Sequence, residues 1–408
     1  MKKLKIQNQI LIMLAFFSFS VGLWGNFRQL WLQSNKFSVT QISHIISIGT
    51  FASIVAIILI GKYVKLNKLK RYIAYSIGFK VINLLFLSFI NGKDFSNLII
   101  ISIIIDIVLE YIIITSIYPL IINIIKNDKE YSKRQLTEYL FRDVGILIGG
   151  FFIGRNILGK LIDYNVCLVI ANVFLFISLF VIAKIDDNIE YPVRKKESIL
   201  KYIFEKKILI LYLIYILVSS VAMSTALGLK MLTLTNYFKF TDSVATNYLL
   251  IVGLIADGLG IIALKFLTPK NDYLTLTIKF GIRFLGYVIA FLSNNIFIIF
   301  IAMTWSILIS TAYENVCDGP YVNSVENEYQ LEFTNLRYII RFLGESIGVF
   351  LCGVMYEIGL RYMFGLSAIF MIFQIALGYY MIYLRNKENQ SMSFEDDIHA
   401  RENLKETI

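Results

Sequence analysis

Twelve mostly apolar stretches, each about long enough to cross a membrane, follow one another along this chain of 408 residues. A helix needs ~20 predominantly apolar residues to traverse the hydrocarbon core of a bilayer. The stretches 8–32, 41–61, 72–91, 97–125, 137–157, 162–184, 207–233, 243–266, 272–292, 295–321, 335–356 and 362–384 meet that requirement. No soluble core has room for so many. Charged residues make up only 17% of the chain, where a soluble domain carries about 25%. In lipid, a backbone must satisfy its own hydrogen bonds, which within a single segment means a helix. The expected fold is therefore all-α and integral to the membrane, with twelve transmembrane helices and the lipid bilayer as solvent.

An even number of spans puts both termini on one side, and the basic residues say which. With the N-terminus inside, the tails, inner loops and inner helix ends hold 26 Lys and Arg residues. The outer loops and outer helix ends hold six: Lys36, Lys93, Arg155, Lys160, Lys239 and Arg361. This positive-inside asymmetry predicts a multi-pass protein of the cell membrane with both termini cytoplasmic. The net charge of +10 sits in membrane-flanking segments, which suits a lipid surface and not nucleic acid. Residues 185–206 are the only long polar interior segment and divide the spans six and six. The expected domains are an N-terminal bundle over 1–184, a cytoplasmic linker over 185–206, a C-terminal bundle over 207–385 and a charged, unstructured tail over 386–408. Ser198 to Lys206 reads as a short amphipathic helix on the inner leaflet. The basic start, Met1-Lys2-Lys3-Leu4-Lys5, could open a signal peptide. The apolar run behind it continues to Trp31 without a small-residue cleavage site, so a retained first helix is expected.

The two bundles echo each other. Tyr139, Arg142, Gly145, Gly149 and Gly154 of the fifth span recur as Tyr338, Arg341, Gly344, Gly348 and Gly353 of the eleventh, each 199 residues later. At an offset of 203, Lys36-Phe37-Ser38 answers Lys239-Phe240-Thr241, Gly25 answers Gly228, Gly78 answers Gly281 and Lys80 answers Arg283. Matches that all respect one helix correspondence are the mark of an internal repeat. Two six-helix halves joined by a long basic loop resemble the major facilitator superfamily, over essentially the whole chain at the level of architecture. The resemblance implies two pseudo-symmetric bundles around a central cavity that opens alternately to either side, with helices 1, 4, 7 and 10 lining it.

The family's short motifs are carried over only in part. Its loop between helices 2 and 3, G-x-x-x-D-R-x-G-R-R/K, corresponds to Gly61 through Arg71. Gly61 and the basic end are present, but Lys65 stands where the acidic residue belongs, so that residue's gate contact does not transfer. Gly145, Gly149, Gly150 and Gly154 look like a reduced form of the Gly-rich motif of family antiporters, without its proline. Gly145 and Gly149 lie about 40° apart on a helix, a small-xxx-small seam, which close packing between the halves also explains.

Charges inside the spans narrow the function further. Arg28, Lys80, Arg142, Lys230, Lys279, Arg283 and Arg341 face acidic counterparts at Asp106, Glu110, Asp143, Asp257, Glu314, Asp318 and Glu345. At roughly 2.5–3.5 kcal/mol each on the insertion scale, they cannot all meet lipid. Asp106/Glu110 and Glu314/Asp318 are each spaced i, i+4, so each pair shares a helix face. Two carboxylates on one face raise each other's affinity for protons. Glu110, with Asp106, is therefore the expected proton-coupling site. Arg28, Lys230, Asp106 and Asp257 are the expected substrate-binding residues, the two cations suiting an anionic group. Arg142, Asp143, Glu314, Asp318 and Arg341 form the expected cytoplasmic gate. The alternative is that these charges only pair across helices and fix the bundle. Lys80 and Arg283 lie on helices that the resemblance makes peripheral.

The remaining signals are bland. Cys167, Cys317 and Cys352 lie far apart in apolar stretches and make no metal or redox motif. His44 reads as a residue of the membrane interface, and Pro119 and Pro320 as bends or ends of their helices. There is no phosphate-binding glycine loop, no metal cluster and no nucleophile–base set, so neither a cofactor nor an enzyme is expected. The expected activity is that of a monomeric, proton-coupled permease of the major facilitator type exporting a small molecule or peptide. The rivals are an importer of a small organic anion or amino acid, and a membrane receptor or scaffold that has lost transport.

Overall fold

The computed structural model describes residues 2–25, 27–63, 68–90, 95–122, 144–145, 156–157, 160–161, 164–185, 199–266, 272–313, 325–326 and 329–405. Its first half holds α1 (Lys2–Gly25), α2 (Phe27–Ser34), α3 (Val39–Tyr63), α4 (Leu69–Phe89), α5 (Ser96–Ile122) and α6 (Tyr164–Ala183). A short α7 (Ile199–Glu205) leads into α8 (Lys207–Leu227), α9 (Lys230–Leu232) and a π turn at Thr233–Tyr237. The chain continues as α10 (Asp242–Phe266), α11 (Asp272–Leu292), α12 (Ile296–Tyr313), α13 (Gln330–Ile358) and α14 (Leu360–Lys405). A two-residue ladder, β1 (Asn156–Ile157) against β2 (Lys160–Leu161), is antiparallel.

Among the described residues, eight helices are long and apolar enough to cross a membrane, and three shorter apolar stretches lie at Asp242–Ala256, Phe280–Leu292 and Ile296–Leu308. Each falls on an expected span. The fifth span lies outside the described residues except for Val144, Gly145, Asn156 and Ile157. One end differs from expectation. α14 continues to Lys405, where an unstructured tail was expected. Neither Gly nor Pro occurs after Gly378, so nothing in the local sequence interrupts the helix.

The surface identifies the solvent. On α4, Tyr75, Phe79, Ile82, Phe86 and Phe89 are exposed, while Ser76, Lys80 and Asn83 are buried. The spacing of the exposed set is the 3.6-residue period of one helix face. Phe79 is 63% exposed and the adjoining Lys80 1%. That is the reverse of a helix in water, and it is stable only where hydrocarbon covers the aromatic stripe.

Packing repeats between the halves as the sequence echo requires. In the first half α1 packs on α6, α3 on α5, and α4 on both α5 and α6. In the second half α8 packs on α14, α10 on α12, and α11 on both α12 and α14. The first helix of the second half gives way at Gly228, the echo of Gly25. The first span of each half ends at the echoed lysine. Lys36 (φ 70°) and Lys239 (φ 59°) are the non-glycine residues with positive φ among those described. Ser38 and Thr241 follow, accepting hydrogen bonds from the backbone N–H of Gln41 (3.2 Å) and Val244 (3.4 Å) to start the next helix.

The glycines of the eleventh span act mostly within their own half. A Cβ on Gly344 would lie 2.6 Å from the Leu217 carbonyl, and one on Gly348 2.7 Å from Ser224 Cβ, both on α8. Only Gly353 presses on the other half, against Ser43. The seam is thus a packing device, but the contact between halves that the sequence suggested is confined to its last member. α7 forms where an amphipathic helix was expected. Its Tyr202 stacks on Tyr329, ring centroids 4.2 Å apart, and so docks α7 on the second half.

Candidate functional site

The charges that should not be in an apolar bundle gather at one place in the first half. Asp106 and Glu110 share a face of α5, as their spacing requires. Arg28 comes from α2, and Lys80 from the buried face of α4. Arg28 Nη2 stands 2.7 Å from Glu110 Oε2 and 2.9 Å from Asp106 Oδ2. Lys80 Nζ forms an ion pair with Asp106 Oδ1, donates to the Asp106 carbonyl at 3.1 Å, and lies 3.3 Å from Glu110 Oε2. Trp24 Nε1 donates to Asp106 Oδ2 at 2.8 Å. Two cations therefore hold two carboxylates, and the net charge of the cluster is zero.

Burial ranks the two acids. The Asp106 side chain is 0% exposed and receives Arg28, Lys80 and Trp24 together. Glu110 is 14% exposed and is held by Arg28 and Lys80 through one oxygen. Desolvating such charges costs several kcal/mol per ion, which is offset only when geometry and hydrogen bonding are complete. Asp106 is the fully satisfied anchor; Glu110 is the member within reach of solvent.

The next residue ties this cluster to the other half. Tyr111 Oη donates to Glu345 Oε1 on α13 at 2.8 Å. Further contacts between halves extend from there toward the Lys36/Lys239 end. Ser47 Oγ donates to the Ser346 carbonyl (2.8 Å) and Ser346 Oγ to the Ser47 carbonyl (2.9 Å). Gln29 Nε2 donates to the Gly228 carbonyl (2.8 Å), Gln33 Nε2 to Asn236 Oδ1 (3.1 Å), and Thr40 Oγ1 to Glu357. His44 stacks on Phe350 with centroids 4.9 Å apart, so it meets the opposite half.

The structure thus brings together Arg28, Asp106 and Glu110 of the expected residues, and adds Lys80, Trp24, Tyr111 and Glu345. Lys80 sits on a helix that architecture makes peripheral, yet its side chain reaches the cluster from behind α5. The signal that could have found it was its echo at Arg283. Lys230 is half-buried on α9, just beyond the interruption at Gly228. The backbone of Asp257 lies in α10, its side chain outside the described residues. Of the expected gate, Arg341 is half-buried on α13; Arg142, Asp143, Glu314 and Asp318 lie outside the described residues. Among the described residues no group of His, Cys, Asp and Glu could hold a metal ion.

No protein-family profile and no curated protein matches the sequence. Solved structures do match in fold. A mutant of the nucleoside transporter NupG is similar with a TM-score of 0.69 at 11% identity, over 92% of this chain and 99% of that one. A bacterial homologue of the human lysosomal transporter Spinster, inward-facing and unoccupied, is similar with a TM-score of 0.65 at 12% identity, over 93% and 97%. The peptide transporter POT, a mutant in complex with alafosfalin, is similar with a TM-score of 0.64 at 11% identity, over 92% and 94%. The chain has the fold of major facilitator transporters, as the sequence resemblance implied.

Proposed function

We propose that this fold works here as a secondary-active transporter that moves a small molecule or peptide by alternating access, drives it with protons through Glu110 and Asp106, and exports it. The observation that carries this reading is the buried cluster of Arg28, Lys80, Asp106 and Glu110, whose one part-exposed carboxylate adjoins the Tyr111–Glu345 bond between halves. A proton on Glu110 changes the cluster from neutral to +1. Unit charges ~3 Å apart at an effective dielectric near 20 attract by about 5–6 kcal/mol before desolvation is counted. Loss of that attraction loosens α5 from α2 and α4, and α5 carries Tyr111.

In this reading the Lys36/Lys239 end faces outward, following the positive-inside pattern, and the bonds between halves hold it closed. Arg142, Asp143, Glu314, Asp318 and Arg341 close the opposite end in the alternate state. Arg28, Lys230, Asp106 and Asp257 line the path of the solute. The similar folds of NupG and POT, described as transporters of nucleosides and peptides, support solutes of that size.

Proteoliposomes with an imposed pH gradient test the proposal, using dipeptides and nucleosides as solutes and an enclosed pH dye as readout. Flux is expected to follow the gradient, with its orientation reporting export or import. Glu110→Gln is expected to exchange solute without gradient dependence. Full gradient dependence in Glu110→Gln would refute proton coupling there. Folded protein that moves no solute under either gradient would favour the receptor or scaffold.

A further inference from the structure

Four charged side chains are buried among the described residues: Arg28, Lys80, Asp106 and Arg283. The first three are neutralised together with Glu110. Arg283, 2% exposed on α11, forms no ion pair among the described residues. Its Nε donates to Tyr287 Oη at 3.1 Å, and its guanidinium lies 5.4 Å from the centroid of that ring. Its Nη2 has no acceptor among the described residues. A buried guanidinium at this depth needs a counter-charge.

Helix register shows why the neighbouring helix lacks one. In the first half, Lys80 and Asn83 of α4 bond to the carbonyls of Asp106 and Ser102 of α5, which sets those positions level. In the second half, a Cβ on Gly286 of α11 would meet Ser306 Oγ at 2.8 Å and the Ala302 carbonyl at 3.4 Å. Arg283, three residues earlier, is then level with residues 305–309 of α12, which read Trp-Ser-Ile-Leu-Ile. Where Lys80 meets Asp106, Arg283 meets an uncharged stretch.

The helix on its other side offers an amide. Tyr287 packs on Phe364 with ring centroids 5.9 Å apart, and Phe291 on Tyr362 at 6.3 Å, so α14 runs antiparallel to α11. Continuing that register places Gln374 of α14 within about two turns of the level of Arg283. Gln374 is 0% exposed, and neither its Nε2 nor its Oε1 has a partner among the described residues. Side chains tilt toward the N-terminus of their own helix. In antiparallel helices with this offset, Arg283 and Gln374 therefore lean toward each other.

We propose that Arg283 and Gln374 bind an oxyanion of the transported solute, a carboxylate or phosphate. The solute supplies in the second half the negative charge that Asp106 supplies in the first. This rests on the transport reading above. The chemistry fits: a guanidinium presents fixed N–H donors to a carboxylate or phosphate, and an amide adds another.

Thermal unfolding of the purified full-length chain in neutral detergent tests the site without requiring flux. Sodium phosphate and sodium acetate are compared with sodium chloride at equal ionic strength. At least one is expected to raise Tm by about 2 °C or more, with a smaller rise in Arg283→Lys and none in Arg283→Met. Arg283→Met is also expected to unfold at a higher temperature than wild type in chloride, because it removes an uncompensated buried charge. Should Arg283→Met fail to fold, Gln374→Leu provides the second test: an unchanged Tm in chloride with a reduced anion response. No anion response in the wild type, or an undiminished one in both Arg283→Met and Gln374→Leu, would overturn the proposal. So would stabilisation by added phosphatidylglycerol with none by the soluble anions, since the oxyanion would then be a lipid headgroup. A positive result beside absent flux would retain the site and count against the transport reading alone.

Discussion

Asp106 offers the sharpest test of the ion cluster, because its removal and its rescue have opposite expected signs. Asp106→Asn leaves Arg28 and Lys80 facing Glu110 alone, so the cluster passes from neutral to +1 in a site where both cations are buried. Removing one partner of a buried pair costs about 3–5 kcal/mol. The loss falls near the upper end here, since Asp106 receives two cations and the Trp24 indole. Lys80→Met alone leaves the cluster at −1 and costs a similar amount. The double variant, Lys80→Met with Asp106→Asn, restores neutrality as Arg28 with Glu110 and replaces a buried ammonium by an apolar chain of similar length. It is expected to recover to within about 1–2 kcal/mol of wild type, a coupling energy of several kcal/mol between neighbours in one network. Reversible unfolding of the four proteins in mixed SDS and neutral detergent measures the cycle. A double variant no more stable than the sum of the two losses would refute the reasoning.

Other expectations follow from single contacts. Tyr111→Phe removes a hydrogen bond to a carboxylate worth about 1.5–3 kcal/mol, and should shift the halves roughly 10- to 100-fold toward opening at the Lys36/Lys239 end. Thiol labelling of Gln33→Cys reads that shift; unchanged labelling would show that Tyr111 does not hold the halves together. Lys36→Gly and Lys239→Gly relieve left-handed backbone and should each stabilise by about 1 kcal/mol, checked by the same unfolding assay. Gly344→Ala places a methyl group 2.6 Å from the Leu217 carbonyl and should cost about 1–3 kcal/mol. Gly281→Ala meets nothing within 4 Å and should gain about 0.5–1 kcal/mol of helix stability. The Lys206 ammonium has its pKa raised chiefly by its bond to Tyr202 Oη. The docking of α7 that this bond supports is then complete below the lysine's unfolded pKa of about 10.4 and is lost only as pH rises through the higher folded value. Proteolysis within 199–206 should be constant from neutral pH to about pH 9 and increase beyond the lysine's range.

Hydropathy located the spans that fall among the described residues, because each is written continuously in the sequence. The duplication was legible too, and the structure gives it a backbone meaning: Lys36 and Lys239 adopt the same left-handed turn. The ion cluster was legible only in part. Asp106 and Glu110 share a face by periodicity, whereas the reach of Lys80 around α5 depends on the contact of α4 with α5, which no local pattern encodes. Tyr111 and Glu345 were invisible as partners because they are 234 residues apart and tyrosine is ordinary in an apolar helix. The tail was misjudged on charge, which says nothing against a helix when no Gly or Pro breaks it.

The reciprocal Ser47–Ser346 bonds bear on how fast such a protein can cycle. A serine hydroxyl that leaves a neighbouring helix can turn back to a carbonyl of its own helix. Thr50, Ser53 and Thr225 already do so, onto Ile46, Gly49 and Val221. Parting these helices therefore exchanges one hydrogen bond for another and leaves no orphaned donor. If the proposed alternating access holds, this contact between halves can part without the loss of a hydrogen bond.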